Sequence, residues 1–205
     1  MSVESVMARI AEINGMLAPP RAEPATATST TFGTALNQAT GTAGAVAAPA
    51  LGWNAAAGGG GAGQRMLAAA QAELGQAEQP PGSNDSPRIA EYRTATAGSG
   101  VGPWCAYFVS WAAKQAGAPV GEQGQGFGAV SALYAWGERT GRALPAGSTP
   151  QPGDVIVWGG RHIGIVEAVL PDGRIQTIEG NSSDQVSRRT YGADGGGATG
   201  YVRLG

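Results

Sequence analysis

Over the first seventeen residues Val3, Val6, Met7, Ile10, Ile13 and Leu17 recur at three- and four-residue spacing and share one helical face. Pro19 and Pro20 stop that pattern, so residues 1–17 are expected to form a short amphipathic helix. From residue 18 to residue 63 large apolar side chains nearly vanish among Ala, Thr, Gly, Pro and Ser. Such a stretch cannot bury enough surface to offset the entropy of ordering it, and it reads as a flexible linker in which Phe32 and Trp53 stand alone.

Periodicity resumes at Gln64, where Met66, Leu67, Ala70 and Leu74 mark a helical face that ends at Gly75. Pro80, Pro81 and Gly82 predict a turn. A short helix follows, with Ser86 as N-cap, Pro87 at its first position and Ile89 and Tyr92 facing inward. Gly102-Pro103 and Gly117 with Pro119 bracket the next helix, with Trp104, Phe108, Trp111 and Ala112 along one side. Val130, Leu133, Tyr134 and Trp136 predict one more, closed by Gly141. From Pro152 the period becomes that of strands, over residues 154–158, 163–170, 174–179, 186–191 and 201–204. Helices first and an antiparallel sheet of about five strands after is an α+β arrangement, with residues 64–205 as its domain.

Composition narrows the function classes. The 205 residues carry a formal net charge of -2 and no dense basic stripe of the kind that grips phosphates, so nucleic acid is not an expected partner. No run of about twenty apolar residues predicts a membrane span. The first seventeen residues also lack the basic and continuously apolar regions of a secretory signal, so action outside the cytoplasm would require another route. One cysteine excludes an internal disulfide and any cluster of thiolates.

That cysteine, Cys105, falls in the first turn of the helix after Pro103. There the unpaired backbone N–H groups and the positive end of the macrodipole favour a thiolate. The sole histidine, His162, begins a strand. Asp172-Gly173 predicts a two-residue hairpin turn, in whose register Val166 faces Glu179 and Gly164 faces Asn181. His162, Glu179 and Asn181 then share one face of the sheet, with Asn181 diagonal to His162 and Glu179 one step farther along. A bulge or bend near Gly164 or Gly180 would bring Glu179 closer. Nucleophile, base and a polar group to hold the base are the parts of acyl-transfer chemistry.

The phrases Pro103-Trp104-Cys105-Ala106-Tyr107-Phe108-Val109-Ser110-Trp111, Pro152-Gly153-Asp154-Val155-Ile156-Val157-Trp158, His162-Ile163-Gly164-Ile165-Val166 and Ile178-Glu179-Gly180-Asn181 follow one another in order. Together they resemble the CHAP family of cysteine- and histidine-dependent amidohydrolases and peptidases, which belongs with the NlpC/P60 and papain-like folds. The resemblance spans about residues 64–205 and implies helices packed on a strongly bent sheet. It implies Cys105 as nucleophile, His162 as base, Glu179 as the group orienting the imidazole, and Asn181 lining the same site. The implied substrate is peptidoglycan, cut either at the amide between muramic acid and the stem peptide or within the peptide and its cross-bridge.

An oxyanion hole of this family uses the backbone N–H of the cysteine and an upstream donor, for which Asn84 or Tyr92 is the candidate here. Trp104 and Trp158, with Trp136 and Tyr107, are candidates to wall a substrate groove. Some relatives hold calcium in an acidic loop before the cysteine; residues 94–102 contain no carboxylate, so neither a metal nor another cofactor is expected. The expected species is a monomer acting at the bacterial cell wall, in the periplasm or outside the cell. Residues 1–17 would serve as a docking element for a secretion or flagellar component, or the protein would be a phage lysin released by other means. An amidase for a small soluble amide and a silent wall-binding module are the alternative readings.

Overall fold

The computed structural model describes residues 60–205, so the expected N-terminal helix and nearly all of the expected linker lie outside the described residues. Four helices come first: α1 (Ala62–Gln71), α2 (Pro87–Arg93), α3 (Cys105–Gln115) and α4 (Val130–Arg139). Six strands follow: β1 (Ala143–Pro145), β2 (Val155–Trp158), β3 (His162–Val169), β4 (Ile175–Glu179), β5 (Ser187–Tyr191) and β6 (Gly200–Val202). They form one antiparallel sheet in the order β1-β6-β2-β3-β4-β5, and the fold is α+β. Among the described residues no helix is long and apolar enough to cross a membrane.

Local chemistry sets the helix ends. Ser86 caps α2, its hydroxyl accepting the Ile89 N–H at 3.2 Å, and Pro87 opens the helix where its missing N–H costs nothing. At the end of α3, Gly117 adopts φ +71°, its N–H reaching Lys114 O and that of Ala118 reaching Ala113 O, both at 3.0 Å. This Schellman pattern satisfies two orphan carbonyls. Gly141 repeats it behind α4.

Helix α3 is buried from Cys105 through Ala113 rather than along the one side its aromatic residues suggested. A helix apolar on every face sits in the middle of a core. Here α1 and α2 cover one flank of α3 and β3 covers another. Val155, Val157, Ile163, Ile165, Ile178 and Val202 give the sheet its helix-facing core. Ile156, Trp158, Val166, Ile175 and Tyr201 form a second cluster on the opposite face.

The sheet has six strands where five were expected. The additional one, β1, is three residues long, ends in Pro145 and pairs only with β6, so it carries neither alternation nor length as a signal. An edge is where a sheet tolerates proline.

The β3–β4 hairpin departs from the expected register, and this departure shapes the site. Its turn takes three residues, Pro171-Asp172-Gly173, with Leu170 N–H bonded to Arg174 O at 2.8 Å and Gly173 at φ +84°. Val169 then pairs with Ile175 and Ala168 with Gln176, but Val166 pairs with Thr177, leaving Glu167 as a bulge. Longer turn and bulge each displace the pairing by one residue. The two slips restore the original facing and bring Glu179, instead of Asn181, alongside Gly164.

Candidate active site

Cys105 is the first residue of α3 and is only 5% exposed. Its backbone N–H belongs to the unpaired first turn of that helix. His162 is the first residue of β3 and pairs with Trp158 of β2, whose indole stacks on the imidazole with ring centres 5.5 Å apart. Trp158 is in turn held by its indole N–H, which donates to Gly195 O at 2.7 Å.

Glu179, 1% exposed, directs Oε2 at His162 Nε2 across 2.8 Å, which leaves Nδ1 as the ring nitrogen available to Cys105. Its other oxygen accepts the Thr177 hydroxyl at 2.6 Å, and Tyr191 also favours the charged carboxylate. Glutamate can lie across β3 only because Gly164 has no side chain: a Cβ there would stand 2.7 Å from Glu179 Cγ. Gly164→Ala is therefore expected to push the carboxylate off the imidazole and lower kcat/KM by about 30-fold or more. Hydrolysis rates set beside the thermal midpoint check this, since a general packing defect would lower the midpoint without a selective loss of rate.

The electrostatics favour an ion pair. Burial works against charge on His162, but hydrogen bonds with Cys105 and Glu179, and their charges, push its pKa up to about 9. Burial likewise opposes charge on Glu179, yet the bonds from His162 and Thr177 hold it below the usual carboxylate range. At neutral pH the ring is thus an imidazolium between a sulfur and a carboxylate, ready to donate a proton.

Asn181 is on the site's other flank. It sits in the left-handed region, φ 56°, and makes no hydrogen bond with His162. With its carboxamide oriented to satisfy its neighbours, Nδ2 donates to Glu78 Oε1 at 3.2 Å and Oδ1 accepts the Trp104 backbone N–H at 3.1 Å. The Asn84 carboxamide lies 3.3 Å away.

Residues 96–181, which include Cys105, His162, Glu179 and Asn181, match the family model of the CHAP domain. Over those residues the chain is similar to a CHAP domain. Among solved structures it is similar to the peptidoglycan hydrolase RipB from Mycobacterium tuberculosis, at 20% identity and a TM-score of 0.43. That similarity covers 70% of this chain and 64% of the other, less than two thirds of its length. No curated protein matches.

Other expected site residues of the CHAP domain fall differently. Tyr92 is fully buried and its hydroxyl donates to Glu73 Oε2 at 2.7 Å, so it is not free to serve an oxyanion. Trp104 is fully buried too, its indole N–H bonded to Glu78 at 2.9 Å, and it belongs to the core rather than to a groove wall. Trp136 packs on Phe127 in the core. Trp158 serves as a backing for His162. Asn84 keeps its carboxamide beside that of Asn181, close to the start of α3.

Sequence reasoning missed Thr177 and Glu78. Thr177 had a signal, because it alternates with Glu179 on one strand face. Glu78, in the polar stretch before Pro80 and Pro81, had none.

Proposed function

We propose that this CHAP-like domain, taken as residues 64–205, hydrolyses an amide bond of peptidoglycan with Cys105 as the nucleophile. The observation that carries the reading is the ordered set Cys105, His162 and Glu179, with the last two 2.8 Å apart and the imidazole held charged. The Cys105 thiolate attacks the amide carbonyl carbon, and its backbone N–H at the helix start faces the developing oxyanion. The C–N bond then breaks as His162 gives its proton to the departing amine, leaving a thioester on Cys105. Water, deprotonated by the now neutral His162, attacks the thioester, and release of the acid restores thiolate and imidazolium.

The bond cut is either that between the muramic acid lactyl group and L-alanine or one within the stem peptide or cross-bridge. Action on that polymer sets the place of work at the cell wall, in the periplasm or outside the cell. The test is digestion of purified peptidoglycan with analysis of the released fragments. New amino groups without new reducing sugar ends are the expected result; an amino terminus on alanine beside a freed lactyl group identifies an amidase. Reducing ends alone, or no release from walls alongside turnover of small soluble amides, would refute it.

A further inference from the structure

Glu78 is a buried carboxyl, 3% exposed, that the chemistry above does not use. Among the described residues no arginine, lysine or histidine pairs with it. It is held by donors alone: the Asn84 backbone N–H to Oε2 at 2.7 Å, the Trp104 indole N–H to Oε1 at 2.9 Å, and Asn181 Nδ2 to Oε1 at 3.2 Å. These donors come from the 78–84 loop, from the residue just before Cys105, and from the segment just after Glu179.

Its own backbone is equally tied. The Glu78 N–H donates to Asp184 O at 2.8 Å, Ala77 bridges Gln185, and the Val186 N–H donates to Gln76 O at 2.8 Å. Residues 76–78 are thereby pinned to the chain that runs on from Asn181. A buried acceptor without a countercharge is costly unless every lone pair has a use, and here each bond leads to the neighbourhood of the nucleophile. Asn181 relays the anchor directly, because its Oδ1 takes the backbone N–H of Trp104, the N-cap residue of α3.

We propose that Glu78 is a positioning residue that fixes the Trp104–Cys105 turn, and with it the donor that meets the oxyanion, through Asn181 and the Trp104 indole. It rests on the reading of Cys105 as nucleophile. Glu78→Gln keeps the volume but turns an NH2 group onto at least one of three donors, so one bond becomes a donor–donor conflict. Glu78→Asp keeps the acceptor character and withdraws it by one methylene.

Both variants of the full chain are to be assayed on purified peptidoglycan, with alkylation of Cys105 by iodoacetamide in parallel. In Glu78→Gln kcat should fall by about 30-fold, as when a buried donor loses its acceptor. KM should stay within about twofold, and the alkylation rate should change far less than kcat, because displacement of iodide by the sulfur needs no oxyanion donor and His162 keeps its partner Glu179. Glu78→Asp should lose less, and if the glutamine variant does not fold, the aspartate variant carries the same comparison. The proposal is overturned by a kcat that hardly changes while the thermal midpoint drops, or by kcat, KM and alkylation failing together. Wall digestion that survives Cys105→Ala would mark a different failure, that of the nucleophile itself.

Discussion

Cys105→Ala should abolish hydrolysis of purified walls, with a loss on the order of 10^5-fold and the fold retained. Alanine removes the only atom able to form the thioester, and no second thiol exists to replace it. The side chain is small and one end of α3 is anchored elsewhere, so unfolding is not the expected cause. The same variant carries a spectroscopic readout, since His162 is the sole histidine and its ring protons titrate without overlap. The bond and charge of Cys105 are among the causes that raise its pKa to about 9, so the midpoint should move down in the alanine variant. Undiminished turbidity loss, or an unmoved titration, would count against the assignment.

Glu179→Gln should cost on the order of 10^3-fold in kcat/KM and displace the alkaline limb of the pH profile. The sign follows from the ion pair. His162 must be protonated to expel the amine, so activity falls as pH rises through about 9. Glutamine keeps the size of Glu179 but removes a charge and a bond that raise that pKa, so the limb should appear at lower pH. Asn181→Ala gives the contrast. Asn181 makes no hydrogen bond with the imidazole, and its loss should reduce the rate while leaving the limb near 9. Profiles of kcat/KM against pH for the three proteins decide which residue holds the ring, and a limb that moves only in Asn181→Ala would reverse the assignment.

Those two residues also show where sequence stops being informative. That His162 and Glu179 share a face was legible because strand parity survives any even displacement, whereas Asn181 lies beyond the end of β4, in the left-handed region, where that parity stops. Which of Glu179 and Asn181 meets the imidazole was not legible, because the answer depends on a three-residue turn and on a bulge at Glu167. Glu167 is bonded to Gln71 of α1 and Arg188 of β5, partners distant along the chain that no local pattern announces. Boundaries set by local chemistry were readable, as at Ser86-Pro87, Gly117 and Gly141. Tyr92 was rightly placed inward, but the claim of Glu73 on its hydroxyl comes from nineteen residues upstream. Glu78 illustrates the same limit: a carboxylate among polar neighbours became an interior group only through the bridge from Ala77 to Gln185.

The burial of α3 on all sides bears on how the protein would meet a stiff, cross-linked polymer. Cys105 rides on a helix enclosed as far as Ala113, closed at one end by the Gly117 motif and tethered at the other through Trp104. Close-packed interiors do not deform by degrees, so the sulfur cannot advance toward a substrate without dragging the core with it. Adaptation to strands of different chemistry must fall instead to the surrounding loops, such as the one that presents Val101, 62% exposed, shortly before the nucleophile. Breadth of substrate choice would then be adjustable there while the thiol keeps its place.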